Sequence, residues 1–424
     1  MRDPNPFLAE HRELTRRYFL KVGASSLAAT GLLSLPRTVS ASGSLSPNDA
    51  EKVERFESYL TPDERFADVS RGNPVPHGLP DEKKREVGMT RDTWKLEIIS
   101  DPDPEHKVRL RSPLTQKDGT ALDFPGLLKL AEKHAVRFAK IMTCLNLGCP
   151  LGMGIWEGVP LRELVMMTQP RYDVRRVFYY GYHNDDPQQM FRSSLPMGRI
   201  LEDYYDLPPV IACYKFNGQW LSPERGGPVR IVVPEGYGFK SIKWITHVVL
   251  TNLPHANDTY AEEGNDVDSP LKSFAAFLSA PRKHKAGEPL PLSGYAQVGI
   301  SGLRKVQVWI EPKGASRPDD DPYFTTAPWT DVEILPPPEK WGGGLPDDKL
   351  PLPIHGFDPE TGRPLKWPLR LCAAHWAGVL PGLEPGRYTL RVRAVDENGI
   401  GQPLPRPSRK SGRAQIEQIT LDVA

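Results

Sequence analysis

Cysteine is scarce in this 424-residue chain: Cys144, Cys149, Cys213 and Cys372 are the whole complement. Four thiols so dispersed do not make a disulfide framework for a chain of this size, and none lies in a Cys-x-x-Cys-His haem-attachment motif. A flavin fingerprint is missing as well. Neither sign of charge is in excess, since 54 basic residues face 53 acidic ones and the formal net charge is +1. That balance gives no electrostatic basis for binding nucleic acid or an anionic membrane. Long apolar runs are absent too: the stretch from Val22 to Leu35 holds about fourteen residues, where a bilayer span needs roughly twenty, which argues against stable membrane insertion. No internal repeat or low-complexity segment stands out.

Near the start, Thr15-Arg16-Arg17-Tyr18-Phe19-Leu20-Lys21 precedes that short apolar stretch, and the small residues Val39-Ser40-Ala41 follow it. The pattern predicts a twin-arginine export signal over residues 1–41, removed near Ala41, and a periplasmic mature protein. This route carries proteins already folded, very often because a cofactor is inserted in the cytoplasm. A cofactor site is therefore expected, and metal ligation is one explanation for a cysteine that stays unpaired in an oxidising compartment.

The remaining ~380 residues suffice for two domains of ordinary size. Forty-five prolines, scattered through apolar segments, argue for many short strands and ordered loops. Residues 42–80 read as a polar, proline-rich arm with one helical pattern over 50–59. Strands are expected at 94–99, 136–143, 177–182, 228–234 and 242–250, and helices from Phe124, at 159–164 and at 196–205. Beyond about Gly287 short alternating strands prevail, clearest at 297–300, 306–310 and 386–394, and read as a β-sandwich. The fold class is α+β, mostly β, with a catalytic domain over 42–280 and a sandwich over 281–424.

Taken in order, Cys144-Leu145-Asn146, Gly158-Val159-Pro160-Leu161, Gly227-Pro228-Val229-Arg230 and Ser241-Ile242-Lys243-Trp244 resemble the sulfite oxidase family of molybdenum enzymes. The resemblance covers nearly all of the mature chain. It implies a molybdopterin-binding domain, a carboxy-terminal Ig-like domain of the kind that mediates homodimers, and a molybdenum–molybdopterin cofactor. By the same resemblance Cys144 is the metal's thiolate ligand, a soft donor suited to such a metal. Cys149 competes for that role, and Asn146, the asparagine near both, favours Cys144. Cys213 and Cys372 look like core packing residues.

The family pattern further implies that Arg230, Ser241, Ile242 and Lys243 hold the pterin and its phosphate. Arg71 and Asn73, in Arg71-Gly72-Asn73-Pro74, fall where the family's arm wraps the pterin. His183, after Tyr180-Gly181-Tyr182, matches a loop that brings a polar residue to the cofactor, and Arg225 sits where relatives touch it. The match departs from sulfite oxidases proper in two places. No arginine follows Cys144 within five residues, and the alignment of Asp258 to Asp266 sets Asn265 in the place of the catalytic tyrosine, with Tyr260 nearby if the register slips. Cys144, His183 and Asn265 are thus the catalytic candidates. Met153, Ile155 and Trp156 are expected to line an apolar pocket, with Arg192 or Arg225 as cations able to reach it from other loops. The expected activity is two-electron oxygen-atom transfer on a small, sulfur-containing substrate, with electrons exchanged with a separate carrier such as a c-type cytochrome or quinone-linked protein. The alternatives are a sulfite dehydrogenase proper and a non-catalytic binding or assembly subunit.

Overall fold

The structure is a computed structural model, and it describes residues 59–256, 258–268, 270–315, 321, 323–402, 410–413 and 415–424. The expected export signal, its cleavage point and the helical pattern at 50–58 lie outside the described residues. Among the described residues no helix is long and apolar enough to cross a membrane.

The amino-terminal part runs through α1 (Asp81–Glu86), β1 (Lys95–Ser100), β2 (Leu122–Asp123), α2 (Phe124–His134), β3 (Val136–Thr143), β4 (Pro150–Pro160) and α3 (Leu161–Met167). It continues with β5 (Arg176–Gly181), β6 (Arg192–Pro196), α4 (Met197–Leu201), β7 (Ile211–Phe216), β8 (Gln219–Trp220), β9 (Arg230–Val232) and β10 (Ile245–Thr251). Two sheets result, ordered β2-β1-β10-β5-β6 and β3-β4-β7-β8, with β9 paired to β7. Local chemistry explains the elements. The Asp123 side chain accepts from the Gly126 amide at 2.9 Å and so caps α2, while Pro125 occupies its first turn and Leu127 turns into the core. Strand β4 is buried along its whole length. Gly154 lets it run under Phe216, whose ring would lie 1.9 Å from any Cβ there.

The second part holds β11 (Phe274–Ser279), β12 (Lys283–His284), β13 (Leu290–Gln297), β14 (Lys305–Pro312), β15 (Thr330–Ile334), β16 (Ala373–Leu380), β17 (Gly386–Val395) and β18 (Glu417–Val423). They form one sheet, β11-β13-β16-β15-β14-β17-β18-β12, bent so that β11 packs against β17. Its two halves sandwich Leu292, Val308, Trp376 and Leu390. Because β11 pairs with β13, this part begins by Phe274, upstream of the expected boundary at 281. A shared core that includes Ile141, Met153, Phe274, Tyr295 and Cys372 joins the two parts. Tyr59 is pinned in it between the rings of Trp341 and His375, 5.2 and 5.1 Å away.

The expected strands and helices mostly recur, with local differences. The helix expected over 196–205 stops at Leu201, and a separate turn follows at Tyr204–Asp206, where Tyr205 has φ 55°. The strand expected at 228–234 keeps only three residues as β9, and the apolar run at 297–300 is the end of β13 followed by a turn.

Candidate active site

Strand β3 delivers Cys144 to a tight turn: the Gly148 amide donates to the Cys144 carbonyl at 2.9 Å, and the Cys144 amide donates to the Cys149 carbonyl at 3.2 Å. Gly148 has φ +61°, which glycine adopts without strain. The turn sets Cys144, Leu145 and Asn146 into the wall of a cleft of about 190 Å³. The arm at 66–72, the end of β5 through His183, Arg225, Arg230, the segment 238–244 and Tyr260 supply the other walls. Among the described residues no three His, Cys, Asp or Glu side chains converge as a metal cluster. Of the side chains that line the cleft, Cys144 offers the thiol and His183 the imidazole that could ligate a metal.

Cations crowd one end of the cleft. Arg230 is buried, donates to the carbonyls of Arg225 at 2.7 Å and Ser241 at 2.6 Å, and lies 5.2 Å over the Trp156 ring. Its Nε is buried with no acceptor, and burial pulls its pKa down to about 10. Arg225 fastens the arm instead of facing the cleft freely: its Nε is 2.8 Å from Asp63 and its Nη2 donates to the Phe66 carbonyl at 3.0 Å. The Lys243 ammonium donates to Asp68 and Ser70, both at 2.7 Å, and to the Glu224 carbonyl at 2.5 Å. Burial, and then the Arg230 charge, push the Lys243 pKa down to about 7 even with Asp68 beside it. Burial alone would raise the Asp68 carboxyl, but Lys243 holds it at about 2. Ser241 and Ile242 keep this end rigid, the Ser241 hydroxyl accepting from the Val233 amide at 3.1 Å and the Ile242 carbonyl from the Ile231 amide at 2.9 Å.

His183 sits at the rim with Nδ1 3.4 Å from the Gly181 carbonyl. Arg71 lies 4.6 Å over the Phe191 ring and 5.9 Å over that of Tyr260. Asn73 lies outside the cleft lining: it is exposed, and its amide donates to the Gln189 side chain at 2.9 Å. The catalytic candidate in the turn after β10 also shifts. Asp258 caps that turn by accepting from the Ala261 amide at 3.1 Å, which projects Tyr260 into the cleft beside Phe239, 4.6 Å ring to ring. Asn265 is at the far end of the same turn, bonded to Glu263 at 3.1 Å, and does not line the cleft. Burial raises the Tyr260 pKa, opposed by Arg71 and by a hydrogen bond with Asn146, so the phenol keeps its proton next to Cys144. Met153, Ile155 and Trp156 are core residues of β4, and the apolar wall comes from Phe66, Leu145, Phe191 and Phe239. Arg192 points to the outer sheet face, 3.4 Å from Glu262. Asp63 and Asp68, which tether the buried cations, went unread because their partners are more than 150 residues away.

A pterin phosphate fits this end of the cleft. Arg230 has no carboxylate partner among the described residues, its Nε lacks an acceptor, and the Lys243 pKa is pushed down to about 7 by burial and then by the Arg230 charge, so an incoming anion would satisfy all three conditions. A pH test follows. Lys243 has a folded pKa of about 7, below its ordinary 10.5, so the unfolded chain binds more protons between those values and stability should rise with pH across that interval. An anion beside Lys243 raises its pKa again, so the rise should be smaller in cofactor-loaded than in cofactor-free protein, as read by urea midpoints at several pH values. An equal rise in both forms would remove Lys243 from the anion site.

Comparison with known proteins agrees with this chemistry. Residues 134–259 match the family model described as the oxidoreductase molybdopterin binding domain. The chain is 27% identical over 200 residues to the mitochondrial sulfite oxidase of Drosophila melanogaster, covering 46% of this chain and 32% of that protein. It is 26% identical over 257 residues to the protein-methionine-sulfoxide reductase catalytic subunit MsrP of Campylobacter jejuni, covering 56% and 73%. A Beauveria bassiana nitrate reductase is 25% identical over 194 residues, and the match spans only a fifth of its length (20%). The crystal structure of the sulfane dehydrogenase SoxCD from Paracoccus pantotrophus shares the fold at TM-score 0.54 and 17% identity, over 82% of this chain and 83% of that one. With a thiol at the mouth of a cation-lined cleft inside the matched domain, the chain belongs to the sulfite oxidase family of molybdopterin-dependent oxidoreductases.

Proposed function

We propose that the protein catalyses two-electron oxygen-atom transfer on a small sulfur compound in the periplasm and exchanges electrons with a separate carrier. The observation that supports this best is the convergence of Cys144, Asn146 and Arg71 on Tyr260 in the cleft that the buried cations Arg230 and Lys243 also line. Arg230, Lys243 and the backbone of 241–242 would hold the pterin, and Cys144 the metal. When bound, molybdenum supplies the oxygen-atom and two-electron chemistry. The chain's own part is to orient substrate. Tyr260 donates a hydrogen bond through its protonated phenol, Arg71 provides a positive charge, and Phe191 and Phe239 exclude water.

Sulfite, methionine sulfoxide and sulfane sulfur appear in the names of the relatives, and the cleft helps to choose among such substrates. No arginine follows Cys144 within five positions, Arg192 turns outward and Arg225 is tied to Asp63, which leaves Arg71 on the arm and Lys410, each 5.9 Å from the Tyr260 ring, as the cations beside that phenol. Losing a charge-paired contact to a buried anion costs about 2–5 kcal/mol, tens-fold to thousands-fold in affinity. Sulfite should therefore be a poorer substrate than neutral sulfoxides in steady-state assays with an artificial electron carrier. Efficient sulfite turnover with a KM in the low micromolar range, about 1–10 μM, would overturn this charge argument, and Arg71→Ala would then show whether Arg71 alone suffices.

The periplasmic part of the proposal rests on the paired arginines. Arg16→Lys with Arg17→Lys should strand the protein in the cytoplasm, because the guanidinium pair is a receptor-read address. Unchanged export of that double variant in a fractionation experiment would refute it. The carboxy-terminal sandwich, read as Ig-like, is proposed as the contact of a homodimer, which sedimentation of the purified protein tests.

A further inference from the structure

We propose that the buried ion pair between Lys240 and Asp258 is a positioning device for Tyr260, carrying the state of the cofactor-holding segment 238–244 to the phenol on the substrate side of the cleft. This rests on the reading above that Tyr260 orients the substrate. Neither member of the pair lines the cleft, and the two residues are 4% and 0% exposed. The Lys240 ammonium lies 3.5 Å from the Asp258 carboxylate and donates to the Ser194 carbonyl of β6 at 2.9 Å. The same carboxylate oxygen accepts from the Ser194 hydroxyl at 3.4 Å, and the other oxygen accepts from the Ala261 amide at 3.1 Å. A buried ion pair often adds little net stability over apolar side chains of the same volume, because both charges are taken out of water. What this pair fixes is geometry, since Asp258 reaches Lys240 and the Ala261 amide together only with the turn in one place.

Consecutive residues of one segment make the link. Gly238–Lys240 form a short helical turn, in which the Lys240 amide donates to the Tyr237 carbonyl at 2.9 Å and the Lys240 carbonyl accepts from the Tyr179 hydroxyl at 2.9 Å. Phe239 lines the cleft with its ring 4.6 Å from that of Tyr260, and Ser241, Ile242 and Lys243 line it at the pterin end. Lys240, between them, reaches behind the wall to the residue that caps the Tyr260 turn. A ring contact tolerates sliding, whereas a charge-assisted hydrogen bond has a preferred direction, so the ionic link is the one that sets where the phenol points. The far end of the turn is held separately: the Asp266 amide donates to the Lys410 carbonyl at 2.9 Å, and the Ser411 hydroxyl donates to the Asp266 carboxylate at 2.8 Å. The turn is thus anchored to the second part of the chain at Asp266 and set from the cofactor side at Asp258. An anion at Arg230 and Lys243 bears on Tyr260 through this packed and hydrogen-bonded route.

Two readouts test the pair. Hydrogen exchange followed by mass spectrometry, on a peptide spanning 258–264, compares cofactor-loaded protein with protein from a host unable to make the pterin. In wild type, loading should slow exchange in this peptide about tenfold, and in Lys240→Met that slowing should vanish while pterin content stays within about twofold. Lys240→Arg, which keeps the charge, should recover most of it. Because Lys240→Met leaves a buried carboxylate without its lysine, Lys240→Met with Asp258→Asn removes both charges together, keeps an acceptor for the Ala261 amide, and should behave as Lys240→Met does. The second readout is kcat/KM for a neutral sulfoxide with an artificial electron carrier. Tyr260→Phe and Lys240→Met should each lower it about tenfold, and the two combined should lower it no further than Tyr260→Phe alone, because a phenol already out of place loses nothing more on removal. A general structural defect would multiply the two losses instead. Multiplied losses, no effect of loading on exchange in wild type, or slowing that persists in Lys240→Met and in the charge-free double variant would overturn the positioning role. Tyr260→Phe with wild-type kcat/KM would overturn the orienting role of Tyr260, and the exchange readout would still decide on the pair.

Discussion

Cys144→Ser is expected to abolish redox turnover while leaving the fold intact. The thiol sits at the end of β3 in a turn closed by main-chain hydrogen bonds from Gly148 and to Cys149, so the backbone there does not depend on sulfur. The side chain packs at the margin of the cluster around Phe66, Met142 and Leu151 and is only partly buried, so a serine hydroxyl can reach solvent and costs little in stability. A hydroxyl is, however, a hard and weakly acidic donor, and it substitutes poorly for a soft thiolate on molybdenum. The expected result is a circular dichroism spectrum and melting midpoint close to wild type, retained pterin, and activity at background. Cys149→Ser should keep most of the activity, because Cys149 does not line the cleft. Full activity in Cys144→Ser, or a loss confined to Cys149→Ser, would move the ligand assignment to the second cysteine.

Arg230→Met should empty the cofactor site. The guanidinium is buried, and its one unsatisfied nitrogen and its lack of a carboxylate partner among the described residues leave its charge to be met by an anion. Removing a buried charge-assisted contact costs on the order of 2–5 kcal/mol, enough to lower anion affinity tens-fold to thousands-fold. Pterin content of the purified variant should fall accordingly. Stability of the cofactor-free chain should change less, since the loss of hydrogen bonds to the Arg225 and Ser241 carbonyls is opposed by relief of an unpaired buried cation. The Lys243 pKa should rise as well, because Arg230 is the largest charge depressing it after burial. Wild-type pterin content in Arg230→Met would show that the phosphate binds elsewhere.

Much of this site was legible in the sequence because its parts are short and ordered along the chain. Cys144 at a strand end, and the interval from Arg230 to Ser241 with Lys243 close behind, are local patterns, and the structure brings them to one cleft. Long-range pairing was less accessible. Nothing local says that Asp63 meets Arg225 or that Asp68 meets Lys243, since each pair forms only when the arm is laid across the domain. That Tyr260 and not Asn265 lines the cleft has a related reason: which residue of the turn from Asp258 to Asn265 points inward depends on the Asp258 cap, a geometric fact that spacing does not encode. The fold shows the same division. α2, β3 and β17 carry strong periodicity and caps, whereas the reach of β11 into the second sheet and the return of that sheet onto itself are tertiary choices.

The central claim is that this cleft holds molybdenum through Cys144 and a pterin through the buried cations. Its most direct test is elemental analysis of the protein purified from an export-competent host, paired with chromatography of the oxidised pterin released on denaturation. The account predicts one molybdenum and one pterin per chain, with molybdenum lost in Cys144→Ser and both lost in Arg230→Met. A protein that is correctly folded and exported from a host competent in cofactor synthesis, yet carries neither molybdenum nor pterin, would contradict it.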